Sequence, residues 1–267
     1  MDSLGDRMKR YESVSNMVLT PKSPVIVRVD GRSFHNFLRE SEKPFDDRVI
    51  FAMVGAANEV SKQISGFKLA YVASDEASFY FDDCKSIESN AWYGNNLQKI
   101  VSVTASLFTG YFNHYYFSEE SVGERGYAVF DARAFVIPED DLPNYFVWRS
   151  QDWHRNSLQM LARHVLPAGD LDGVKTGEIH EKLREKGVIW DVLPEIYRYG
   201  TWVTPKSTNV EDGVVMPNNF HSREDYYSLS AFFGRPIQIV NEDENKGEDA
   251  VNTDGNVEPV PTPGDVG

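Results

Sequence analysis

Two apolar runs that each end in an acid constrain this chain more than anything else in it. Val25-Ile26-Val27-Arg28-Val29 climbs to Asp30-Gly31, and further on Leu69–Ala73 climbs to Ser74-Asp75-Glu76. Short β-branched and apolar runs closed by turn residues read as strands. Two strands that each carry a carboxylate at the tip suggest a divalent-cation site, provided the fold brings the tips together.

The intervening segments supply such a fold. Lys43-Pro44 leads into a helix expected from Phe45 to about Gln63. Asp46 and Asp47 stand in its first turn, Val49, Met53, Ala56, Ala57, Val60 and Ile64 form its buried face, and Gly66 closes it. Strands are expected at Phe67–Ala73 and Ala77–Phe81, joined through Ser74-Asp75-Glu76. A second long helix follows from Leu97 to about Tyr115, and a fourth strand spans Ala128–Ile137 until Pro138 stops it. The order β-α-β-β-α-β is the split arrangement of ferredoxin-like sheets, an α+β two-layer fold. There the first strand lies beside the third, so the exit of strand one and the turn between strands two and three share one edge. Asp30 and Asp75 then face each other.

The flanks are less regular. Asp2 or Ser3 can cap a first helix whose apolar stripe is Leu4, Met8 and Tyr11, and Thr20–Pro24 breaks the chain before the first strand. Beyond Pro143, residues Asn144–Arg149 lead into a helix near Gln151–His164. A short helix is expected over Thr176–Lys186, capped by Thr176 and ended by Gly187; Tyr197–Val203 reads as a strand and Gly213–Met216 as a further candidate. The expected organisation is a catalytic core over 1–143, a helical elaboration packed on it over 144–240, and a Pro/Gly-rich acidic tail over 241–267 that should be disordered.

Charge does not select the partner. Half of the net charge of −14 falls in 241–267, where eight acids face the single Lys246. The body is mildly acidic and has room for basic patches. Cys84 is the only cysteine, which rules out an internal disulfide and a multi-thiolate zinc site and suits a reducing compartment. There is no apolar run near the ~20 residues of a membrane span, and Met1–Gly5 has neither the basic nor the apolar part of a signal peptide. A soluble, cytoplasmic protein is expected.

Hard cations such as Mg²⁺ take oxygen ligands and bind through one or two carboxylates plus substrate phosphates. Asp30 and Asp75 suit that need, with the Gly31 carbonyl as a further ligand, and the glycine lets a phosphate come close. The turn through Arg32, Ser33, Phe34 and His35 offers backbone N–H groups to a triphosphate, with the Arg32 guanidinium as a charged partner. Two metals would activate an attacking hydroxyl and stabilise a leaving pyrophosphate. The plainer alternative is that each acid only caps its own turn. Glu76 is a candidate third acid, though a solvated turn position suits it better. Lys43, just before a helix N-terminus, is a phosphate clamp or a surface lysine; Lys99, Arg133 and Arg149 pose the same choice. Arg149–Asn156 crowds basic, aromatic and polar residues into eight positions, which favours a nucleobase or phosphate contact. His154 there is a general base or a structural histidine.

Several separated blocks together resemble the tRNA(His) guanylyltransferase family. They are Met1–Glu12, Arg28–His35, Lys43-Pro44-Phe45-Asp46, Ser74–Phe79, Phe130-Asp131-Ala132-Arg133, Trp148-Arg149, His154–Leu158 and Tyr197–Gly200, in the family's order over about residues 1–205. The resemblance implies a palm-like fold akin to polymerases. It also implies addition of a nucleotide to the 5′ end of tRNA, in the 3′-5′ direction, after activation of that end with ATP. Carried over by motif, Asp30, the Gly31 carbonyl and Asp75 would hold two Mg²⁺ ions. Asp30–His35 with Ser74 and Asp75 would line the GTP site, and Lys43 would contact a triphosphate during activation. Arg133, His154 and Asn156 fall in blocks tied to activation or to the tRNA end. Eukaryotic members carry His-Ile-Asn-Asn-Leu-Tyr-Asn where this chain has His154-Arg155-Asn156-Ser157-Leu158-Gln159-Met160. The chain is thus more similar to the bacterial, archaeal and phage-type branch, whose members extend 5′-truncated tRNAs by template pairing and are commonly homotetramers. Competing readings are a nucleotide cyclase or diguanylate-type enzyme on the same palm, whose Gly-Gly-Asp/Glu-Glu-Phe turn is replaced here by Ser74-Asp75-Glu76, and a non-catalytic RNA-binding protein.

Overall fold

The structure, a computed structural model, describes residues 2–118 and 126–205. The elements in chain order are α1 (Leu4–Ser13), β1 (Val25–Gly31), α2 (Phe34–Phe37), α3 (Asp47–Ser61), β2 (Phe67–Ala73), β3 (Glu76–Phe81), α4 (Leu97–Tyr116), β4 (Phe130–Val136), α5 (Leu142–Val165), α6 (Thr176–Glu185), α7 (Glu195–Tyr199) and β5 (Thr201–Val203). Five strands form one sheet in the order β4-β1-β3-β2-β5, antiparallel throughout. The first strand does lie beside the third, as the split β-α-β-β-α-β order requires.

Alternation along the strands separates two faces. Val25, Val27 and Val29 of β1 join Ala77, Phe79 and Phe81 of β3 in the main core, under α3 and α4. That core is closed by Met53, Ala56 and Val60 from α3 and by Ile100, Phe108 and Phe112 from α4. Ile26, Arg28 and Asp30 alternate to the opposite face, with Ser78 and Glu76 as cross-strand neighbours. Helix α5 covers this second face: Tyr145 shares a 2.8 Å hydroxyl bond with Ser78, and the rings of Phe146 and Trp202 meet at 5.7 Å.

Several boundaries differ from those expected, each for a local reason. Helix α5 starts at Leu142, well before Gln151, because Pro143 falls in its first turn, where its missing N–H costs nothing. The expected strand over Tyr197–Val203 is split into the short helix α7 and β5. Gly200 makes the break at φ 73°, where a Cβ would lie 2.5 Å from the Val72 carbonyl oxygen. β5 then pairs with β2, so part of the expected elaboration is built into the sheet itself. Helix α6 is preceded by Lys175, with no side-chain cap from Thr176. Ser3 caps α1, accepting from the Asp6 amide at 3.1 Å, but Leu4, Met8 and Tyr11 are exposed. The Gly213–Met216 candidate and the acidic tail lie outside the described residues. Among the described residues no helix is long and apolar enough to cross a membrane.

A candidate active site at the tips of two strands

The exit of β1 and the β2–β3 turn meet directly: the Gly31 amide donates to the Asp75 carbonyl at 3.0 Å. Asp30 lies opposite Glu76 on one side and opposite Asp131 on the other. Ser74, at φ 53°, makes the tight turn that turns Asp75 toward this edge, and its hydroxyl donates to Asp75 Oδ1 at 3.0 Å. Glycine is required at position 31 because the Phe34 ring takes the space of a side chain; a Cβ there would stand 2.3 Å from Phe34 Cδ2. Phe34 in turn packs on Phe37, Phe112 and Phe130 with centroids 5.1–5.5 Å apart. Its ring therefore belongs to the core, and only its backbone can line a ligand.

The turn residues Arg32, Ser33 and His35 are exposed. Ser33 adopts a left-handed conformation (φ 51°), which non-glycine residues rarely hold without a reason. The Arg32 amide is already engaged by the Val129 carbonyl at 2.8 Å, so this one of the expected N–H donors is not open to a triphosphate.

The carboxylates strain against one another. Burial, and next the charge of Asp30, push the Asp75 carboxyl up to about 6. Asp30 is also raised, by burial first, with Arg28 opposing and Asp131 adding to the rise. Glu76 is raised by burial, against the pull of Arg149 and Arg28. It is not the solvated turn residue expected. Its side chain is 14% exposed and takes a two-pronged bond from Arg149, Nε to Oε1 at 2.8 Å and Nη2 to Oε2 at 2.7 Å. Arg149 is thereby committed to Glu76, with Asp152 3.3 Å away on its other side, and has little left for a phosphate.

Beside Ser74 a cavity opens between α3, β2 and α7. It is lined by Met53, Val72, Trp153 and Ile196, with Lys43 and Ser74 among its polar residues. The Trp153 indole N–H is buried and has no hydrogen-bond partner. Lys43 is exposed and donates to the Leu38 carbonyl at 2.8 Å. The helix N-terminus that follows Lys43 is not an open phosphate site: Asp46 Oδ1 accepts from the amides of Arg48 and Val49. At the cavity rim the Phe45 and Tyr197 rings stack at 4.7 Å, and the Tyr197 hydroxyl donates to Asp47.

The remaining candidates are spread out. Arg133 is exposed on β4, opposite Arg28 in register, 3.5 Å from Asp131. His154 is half-buried, its ring stacked on Tyr199 at 5.0 Å, facing α7 rather than the strand tips. Asn156 is exposed and donates to Asp152 at 3.4 Å. Lys99 stands in the first turn of α4, whose opposite end packs on Phe34 and Phe37; the helix is about 30 Å long, so Lys99 is remote from Asp30. Local sequence reveals neither the Glu76–Arg149 pair, nor the place of Asp131 beside Asp30, nor the cavity. The β1–β3 register puts Arg28 and Glu76 on one face, and nothing local said that α5 crosses it. Among the described residues no group of three or more His, Cys, Asp or Glu side chains is arranged to hold a metal alone. Two carboxylates completed by substrate phosphates match how Mg²⁺ is usually bound.

Comparison with known proteins agrees with this geometry. The family model for tRNAHis guanylyltransferase matches residues 5–138. The tRNA(His) guanylyltransferase of Schizosaccharomyces pombe is 31% identical over 211 residues, covering 73% of this chain and 78% of the relative. A bacterial tRNA(His) guanylyltransferase-like protein solved in complex with ATP superposes with a TM-score of 0.73 at 38% identity, covering 77% of this chain and 90% of that one. One solved in complex with GTP gives 0.64 at 35% identity, over 76% and 84%. With its palm-like α+β fold and its paired strand-tip acids, the chain belongs to the tRNA(His) guanylyltransferase family of nucleotidyltransferases.

Proposed function

We propose that this protein is a Mg²⁺-dependent nucleotidyltransferase. It adds GMP and further nucleotides to the 5′ end of tRNA in the 3′-5′ direction, after ATP activates that end, and its main task is template-dependent repair of truncated tRNAs. The observation that carries the reading is the Gly31–Asp75 backbone bond, which holds two carboxylates at one sheet edge beside a cavity.

The residues fit a hard divalent cation. Asp75 is pushed up to about 6 by burial and next by Asp30, which disfavours a bare pair of carboxylates, and all the donors are oxygen. Asp30, Asp75 and the Gly31 carbonyl would hold two Mg²⁺ ions. When bound, they lower the pKa of an attacking hydroxyl and neutralise charge on the leaving phosphate.

The chain's own groups do the rest. Ser74, the exposed Ser33 and His35 and the Phe34 backbone between them line the path of the GTP triphosphate, and Arg32 balances its charge. The mainly apolar cavity between Met53, Val72, Trp153 and Ile196 takes a nucleobase, the usual character of such sites. Lys43, at the same cavity, meets the triphosphate of the activating nucleotide. Arg133 and Asn156, both exposed, are left to meet the tRNA end, and His154 supports α7. The exposed Leu4, Met8 and Tyr11 stripe offers an apolar face for a second copy, in keeping with a homotetramer. The lone Cys84 suits a cytoplasmic setting.

The test is incubation with Mg²⁺, ATP, labelled GTP and a tRNA lacking its first nucleotide. Label in the tRNA supports the proposal. A cyclic product from GTP alone would assign a cyclase, and binding without turnover an RNA-binding protein. A panel of truncated tRNAs ranks tRNA(His) against the rest, and light scattering reads the assembly.

A further inference from the structure

Glu76 follows Asp75 directly and alternates onto the same face as Asp30. A flexible carboxylate there would be a third oxygen ligand for any cation held at the strand tips. The structure prevents this. Both Glu76 oxygens are taken by the Arg149 fork, Arg28 Nε stands 3.7 Å from Oε2, and Asp152 steadies the far side of Arg149 at 3.3 Å. The Glu76 and Arg149 side chains are only 14% and 15% exposed, so water does little to loosen the grip. A planar two-pronged contact also fixes direction, which a lysine ammonium would not.

We propose that Arg149 is a positioning residue that keeps Glu76 out of the cation's ligand set. It thereby limits the site to Asp30 and Asp75 and leaves coordination positions for substrate phosphates. The proposal rests on the reading of Asp30 and Asp75 as cation ligands. Its physical content is that ligand number and net charge set how tightly a cation is held, and that an over-liganded cation holds substrate poorly. The fork carries a second consequence. Because Arg149 sits on α5 and Glu76 begins β3, the same contact aligns the helix with the Ser74-Asp75 turn.

The experiment measures Mn²⁺ binding to the full chain, without nucleotide, by electron paramagnetic resonance. Arg149→Met frees Glu76 and removes one positive charge, so Mn²⁺ should bind about tenfold tighter while kcat for nucleotide addition falls. The double variant Glu76→Gln/Arg149→Met removes one charge of each sign and leaves the net charge of the cluster unchanged, so it should fold even where the single variant does not. Its Mn²⁺ affinity should return to within about threefold of wild type. Asp75→Asn, as the control, should lose most of the binding. Unchanged affinity in Arg149→Met overturns the proposal, and so does a double variant that loses binding as Asp75→Asn does, since Glu76 would then itself be a ligand. An Asp75→Asn protein that binds Mn²⁺ like wild type would instead refute the cation assignment. A wild-type protein that binds Mn²⁺ but adds no nucleotide to tRNA would refute only the proposed reaction.

Discussion

The backbone amide of Gly31 donates to the carbonyl of Asp75 at 3.0 Å. That bond joins the end of one strand to the turn between two others, and it brings together two acids that lie far apart in the chain. Rigid backbone rather than loop holds the pair, as a site needs when small misplacement is costly.

Asp30→Ala and Asp75→Ala should each lower nucleotide addition by at least about a thousandfold while leaving the fold intact. Labelled-GTP incorporation measures the first part and circular dichroism melting the second. Full activity in either variant would remove that acid from the proposed cation site.

In chelator, stability should rise as pH falls from 7 to 5. The Asp75 carboxyl sits at about 6 in the fold against 3.8 for the free group, chiefly because of burial. Its ionised form is therefore disfavoured in the folded chain, a penalty present above about 6 and relieved as protonation sets in. Asp30 and Glu76 shift in the same direction. Melting wild type and Asp75→Asn across this window isolates the Asp75 share: the difference between them should shrink at low pH. Mg²⁺ should stabilise wild type most above that window and least below it.

Gly31→Ala places a methyl 2.3 Å from the Phe34 ring, which is buried among Phe37, Phe112 and Phe130. A cost of about 1–3 kcal/mol is expected from such overpacking. Urea unfolding measures it, and Gly31→Ala/Phe34→Leu should be less destabilised than the two single changes summed. Additive costs would mean that the ring moves aside freely.

Ile196→Trp should fill the cavity beside Ser74 without touching the acids. An increase of about tenfold or more in nucleotide KM, with Mn²⁺ binding unchanged, is expected if the cavity takes the base. An unaltered KM would move the base elsewhere.

Much of this is legible in the amino-acid sequence. Short β-branched and apolar runs closed by turn residues located β1, β2 and β3 to within two residues, since such runs suit a buried pleated strand. The β-α-β-β-α-β order then implied the neighbourhood of Asp30 and Asp75, because few sheet topologies accept that order. Boundaries were less legible where one residue has two meanings: Pro143 can end a segment or open a helix, and Gly200 can lie inside a strand or end a helix. Partnerships across elements could not be seen at all. Arg149 looked like a phosphate ligand because its neighbours were basic and aromatic, and Glu76 looked like surface because it sat in a turn. Only the passage of α5 over the second face of the sheet made them a buried pair. The same passage turned His154 toward Tyr199, while the length of α4 carried Lys99 away from the tips. Local periodicity determined which elements form and which acids stand at strand ends, because those depend on near neighbours. The tertiary structure alone decided which charges are cancelled and which remain for a ligand, because that depends on how faces of distant elements meet.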